Sequence, residues 1–103
     1  MCKSKIFAEL LEIVSNETEV SREKILSDSK EIEVVDARSI LIHLLYKEGL
    51  YPSEIASFIN KTKRSVNQNL SSFSVRLDSG KMLGIILEKV RKKIGNKREM
   101  IHF

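Results

Sequence analysis

The sequence predicts an all-α fold, a small helical bundle of five to six helices that includes a helix-turn-helix. Three observations predict it. Apolar residues recur at helical spacing through every long segment. The 103 residues hold one Pro and no Trp, with 42% hydrophobic and 31% charged, so breakers are scarce and the composition is that of a folded domain. The stretch Tyr51 to Asp78 reads as a short helix, a tight turn and a longer helix. This length makes one small domain, expected over 1–95, followed by a basic, flexible tail at 96–103.

Ile6, Phe7, Leu10, Leu11 and Val14 share a face, which predicts an amphipathic helix from Ser4 to Val14 with Glu9 and Glu12 off that face. Asn16 to Glu19 is polar and reads as a loop. Ser21 caps a short helix to about Leu26, and Glu23 sits in its first turn, where the helix dipole favours a carboxylate. Ser27 to Val35 is a connection of mixed charge. Asp36 caps the next helix, Ala37 to about Lys47, whose Ile40, Leu41, Ile42, Leu44 and Leu45 predict the most buried element. His43 lies among them and reads as a core-edge histidine, because no partner residues accompany it. Gly49 ends the helix by relaxing the backbone requirement at its C-terminus.

Pro52 suits a first helical position, where its missing N–H has no partner to lose. Ile55, Phe58 and Ile59 follow on one face, and Asn60 tolerates the left-handed conformation that stops a helix. Thr62 caps the second helix of the pair at once. Val66, Leu70, Phe73 and Leu77 form its inward stripe. Asp78-Ser79-Gly80 breaks the pattern, and a last helix runs from about Lys81 to Ile94 with Leu83, Ile86, Leu87, Val90 and Ile94 as its apolar residues. Gly84 within it costs on the order of 1 kcal/mol relative to Ala, so this helix relies on packing. Pairing with a second copy would supply some, and Val75 on the outer side of the preceding helix also wants cover. Met100, Ile101 and Phe103 form a small apolar cluster at the tip of a frayed end.

Several function classes find no support. Cys2 is the single cysteine, which precludes an internal disulfide and fits a reducing cytoplasm. His43 and His102 stand too far from it for zinc-ligand spacing. No apolar run suggests a signal peptide or a membrane span. There is no Ser-His-Asp set, no Cys-His pair and no metal cluster, and the pairs Glu9/Glu12 and Glu31/Glu33 read as solvated surface, so no enzyme and no cofactor are expected.

Charge is unevenly placed. Residues 1–60 hold seven Lys/Arg against eleven Asp/Glu, and residues 61–103 hold eleven against three. The change comes at the turn of the helix pair, which points to a polyanion partner. The outer face of the second helix carries Arg64, Asn67, Gln68 and Ser71, with Lys61 and Lys63 at its start. Arg grips guanine through two hydrogen bonds, and Asn or Gln does the same for adenine. No carboxylate interrupts this face before Asp78, as a helix in a major groove requires. Phosphate contacts are expected from Lys61, Lys63, the hydroxyl of Thr62 or Ser65, and the backbone N–H groups at the helix N-terminus.

The segments EVSREKILSDSKEIEVVDARSILIHLL and SEIASFINKTKRSV resemble the C-terminal DNA-binding domain of the bacterial replication initiator DnaA, a helical bundle related to the Trp repressor. The likeness covers about Ile6 to Leu77. Val20-Ser21 and Ile25-Leu26-Ser27 match a V-S-x-E-D-L-L-S type stretch, and Val35-Asp36-Ala37-Arg38 matches a V-E-A-R type sequence. Glu54-Ile55 matches the E-I of the first motif helix. Lys61, Thr62, Lys63, Arg64 and Ser65 stand where the family signature has Arg, Asp, His, Thr and Thr. The resemblance adds Lys30 and Arg38 to the candidate DNA contacts, Lys30 lying in the loop that enters the minor groove in the family. Here that loop has gained Glu31 and Glu33. The initiator's phosphate loop, G-x-x-x-x-G-K-[ST], is absent, so no nucleotide partner is expected. The expectation is a stand-alone regulator of transcription or replication that binds double-stranded DNA. The rival is a protein-interaction module that keeps the fold without DNA, motivated by the acidic loop and the apolar tip.

Overall fold

Several helix boundaries in this chain fall where a side chain or a left-handed residue takes over from the backbone ladder. The computed structural model describes residues 2–101, with side chains through residue 95. Over these residues the chain forms six α-helices and no strand: α1 (Lys3–Thr18), α2 (Arg22–Ile25), α3 (Ile32–Lys47), α4 (Pro52–Ile59), α5 (Lys63–Ser79) and α6 (Lys81–Ile101). The Cα radius of gyration, 12.9 Å, is that of a compact bundle of this size.

α3 is the central helix, with Ala37, Ile40, Leu41 and Leu45 wholly removed from solvent. α1, α2, α4 and α5 all pack on it, and α6 lies against α1 and α5. The core gathers Leu10, Leu11 and Val14 of α1, Ile55 and Ile59 of α4, Val66 and Phe73 of α5, and Leu83, Leu87 and Val90 of α6. The inward stripes expected for α4, α5 and α6 are therefore the ones used, with Phe58, Leu70, Leu77, Ile86 and Ile94 packed at their margins.

Several ends agree with the local chemistry. The Ser21 hydroxyl accepts from the Lys24 N–H at 3.2 Å, and the Thr62 hydroxyl accepts from Ser65 N–H at 3.0 Å. Pro52 takes the first position of α4, and Asn60 ends that helix at φ 57°. Gly49 stands at φ +101°, where a Cβ would be strained.

Three boundaries differ from expectation. α1 continues through Asn16 and Thr18, because Thr18 Oγ1 donates to the Val14 carbonyl at 2.6 Å and steadies the last turn; Glu19, at φ 59°, stops it. α3 starts at Ile32, not at Ala37. Asp36 is thus inside the helix and caps nothing, while Val34 joins the core and Glu33 sits in the first turn. α6 runs past Ile94 to Ile101. The expected apolar cluster of Met100, Ile101 and Phe103 lies outside the residues whose side chains are described.

Candidate nucleic-acid interface

The turn between α4 and α5 contains Asn60, Lys61 and Thr62. Its left-handed Asn60 and its capping Thr62 set the direction in which α5 leaves α4. Packing of Val66 and Phe73 then fixes which side of α5 faces out. On that side Lys63, Arg64, Asn67 and Gln68 are exposed, and their side chains make no hydrogen bond or ion pair among the described residues. Ser71 is exposed too, but its hydroxyl donates to the Asn67 carbonyl at 2.8 Å.

Two expected contacts are committed inside the molecule. Arg38 is buried. Its Nε donates to the Ile25 carbonyl at 2.8 Å, its Nη2 to the Ser27 carbonyl at 2.6 Å, and both terminal nitrogens to the Ser29 carbonyl at 3.3 Å. This guanidinium holds the loop between α2 and α3 and is not a free cation. Lys61 has only 14% of its side chain exposed and donates to the Ser27 carbonyl at 2.9 Å, with the Asp28 carboxylate as its ion partner. Its ammonium holds the Asp28 carboxyl below the usual range. Lys30 is exposed on the same loop and makes no ion pair among the described residues, and Ser65 is half-buried.

A polar relay absent from the sequence reading sets the roll of α5 on α3. Arg76 Nη1 donates to Ser39 Oγ at 3.0 Å, Ser39 Oγ to Asn69 Oδ1 at 2.9 Å, and Asn69 Nδ2 to the Ser65 carbonyl at 3.1 Å. Ser39 is 1% exposed, so the relay runs through the helix contact. Asp36 faces Arg76 at 3.8 Å, yet burial outweighs that cation and raises its carboxyl pKa. The signal that could have found Asn69 is a polar residue on the flank of an inward stripe, opposite a serine in an otherwise apolar helix.

The loop and α5 enclose a groove of about 280 Å³ lined by Lys30, Arg38, Lys61 and Arg76 together with Gln68, Asn69 and Asp28. It adjoins the outer face of α5 at Gln68, and of its cations Lys61 pairs with Asp28, Arg76 faces Asp36, and Arg38 is held by loop carbonyls. Behind α5, the His43 ring stacks on Phe73 at 4.2 Å between centroids, 15° between planes. Its Nε2 is buried without a hydrogen-bond partner, and burial, then Lys47 and Arg91, lower its pKa.

Among the described residues, no group of His, Cys, Asp or Glu could hold a metal ion, and no helix is long and apolar enough to cross a membrane. Comparisons with family models, curated proteins and solved structures gave no match for this chain.

Proposed function

We propose that the protein binds double-stranded DNA, with α4 and α5 acting as a helix-turn-helix and α5 entering the major groove. The observation that carries this reading is the outer face of α5. Its first two turns present Lys63, Arg64, Asn67 and Gln68 outward and without partners, and no carboxylate lies between Thr62 and Asp78. Long unpaired donors and acceptors on a rigid helix are what base-edge recognition needs. The +8 balance of residues 61–103 supports a polyanion partner.

The resemblance to the DNA-binding domain of DnaA gives the reading its shape: a stand-alone module that regulates transcription or replication in the bacterial cytoplasm, of a kind suited to a phage or mobile element. Base preference is its own, since Lys63 and Arg64 replace the family's His and Thr. A homodimer through α6 fits this role, because Met82 and Ile85 are exposed on that helix.

Duplex binding at two salt concentrations is the test. A protein that neutralises several phosphates loses affinity steeply as salt rises. Undetectable binding at low salt, or affinity that ignores salt, would sink the proposal.

A second reading, a protein-interaction module, is favoured by exposed Ile32, which shares a groove with Met82 and Val35 at the start of α3. Capture of a replication protein by a chain that ignores duplexes would support it.

A further inference from the structure

Val75 is the one outward residue of α5 that a solvated polar face does not explain. It is 65% exposed, while Val66 and Phe73 supply the buried residues of that helix. At about 100° per residue it lies roughly 20° from Arg64 and in line with Gln68 and Ser71. Three of the hydroxyls near it bond back to the helix. Ser71 Oγ donates to the Asn67 carbonyl at 2.8 Å, Ser72 Oγ to the Gln68 carbonyl at 2.9 Å, and Ser79 Oγ to the Val75 carbonyl at 2.9 Å. Each hydroxyl has one proton to donate and uses it within the helix. The early turns of α5 thus offer long free polar groups, whereas the turn at Val75 offers an isopropyl group among short serine side chains, of which Ser71, Ser72 and Ser79 bond within the helix.

We infer that Val75 reads the 5-methyl group of a pyrimidine in the major groove, continuing the polar contacts of Arg64 and Gln68. This rests on the DNA-binding reading above. Thymine carries that methyl on its major-groove edge, and apolar side chains meet it there. Eleven residues separate Val75 from Arg64, roughly 16 Å along the helix axis. At about 3.4 Å per base pair along the duplex axis, the methyl lies at most about five base pairs from the pair that Arg64 contacts.

The test uses the full chain and duplexes selected from a random pool. Each thymine of a selected duplex is replaced in turn by uracil, which removes only the methyl group. One replacement should weaken the native chain about fourfold, the loss expected for one buried methyl. Val75→Ser should bind the thymine and uracil duplexes alike, and so should Val75→Ala, made in case the serine disturbs the helix. Arg64→Ala should keep the thymine preference. A parallel series exchanging cytosine for 5-methylcytosine separates the two sources of the methyl group: a gain at one cytosine, lost in Val75→Ser, assigns the contact to the modified base. If duplexes bind but no replacement distinguishes the native chain from Val75→Ser, the inference falls and DNA binding stands. If no duplex binds at low salt, both fall.

Discussion

Lys61 Nζ donates to the Ser27 carbonyl oxygen at 2.9 Å, tying the turn between α4 and α5 to the loop before α3 across 34 positions of sequence. The same oxygen receives Arg38 Nη2 at 2.6 Å from the other side. Two cations on one carbonyl anchor the loop and the start of α5 to a common point. Replacing Lys61 with Met should lower stability by about 1–2 kcal/mol, the usual worth of a charge-assisted hydrogen bond. The urea midpoint checks this. An unchanged midpoint would mean that the tie contributes nothing.

Arg38→Met should cost more, about 3 kcal/mol, because the carbonyls of Ile25 and Ser29 lose their donor and that of Ser27 keeps only Lys61. Arg38→Lys should recover little, since a point charge cannot reach carbonyls spread around a planar fork. Equal stability of Arg38→Lys and the native chain would contradict this.

Ser39 sits between Arg76 and Asn69 in the relay. Ser39→Ala leaves both partners short of a contact in a closed interface, and a loss of about 1–3 kcal/mol is expected. A cycle with Asn69→Ala should show coupling, because the two side chains touch. Strict additivity of the two losses would remove the relay from the account of how α5 is held.

His43 makes stability depend on pH. Its folded pKa lies below the ordinary 6.5, with burial as the main cause. The unfolded chain therefore binds the proton first. The contribution is whole above about pH 6.5 and is lost as pH falls through the folded pKa. Urea midpoints at pH 7.5 and pH 5 should differ less for His43→Phe than for the native chain. Equal differences would show that the ring accepts its proton freely in the fold.

Gly84 is a helical glycine of α6 with nothing within 4 Å of the position a Cβ would take. Gly84→Ala should stabilise the domain by about 0.5–1 kcal/mol through helix propensity and a less flexible unfolded chain. The same change at Gly49, held at φ +101°, should destabilise it. Thermal midpoints of the two variants should move in opposite directions.

The all-helical class and most of the core were legible in the sequence, because Val66, Phe73, Leu83, Leu87 and Val90 follow helical spacing without interruption. Caps at Ser21 and Thr62 were legible too, since capping is chemistry of three neighbouring residues. The start of α3 was not. Glu31 and Glu33 look like loop, and only the burial of Val34 against other elements makes this stretch helical. Arg38 and Lys61 read as free cations for the same reason. Their partners are backbone carbonyls of a loop distant in sequence, which no side-chain pattern announces. Asn69 was hidden by a partner on another helix, Ser39.

α1 and α6, the outermost helices in chain order, pack on each other. α3 covers part of the α1 apolar stripe early in synthesis, but the part that faces α6 stays open until α6 has been made. A cut near Gly80 would leave α6 held to α1 and α5 by packing alone, so a single nick between α5 and α6 should loosen that side of the bundle.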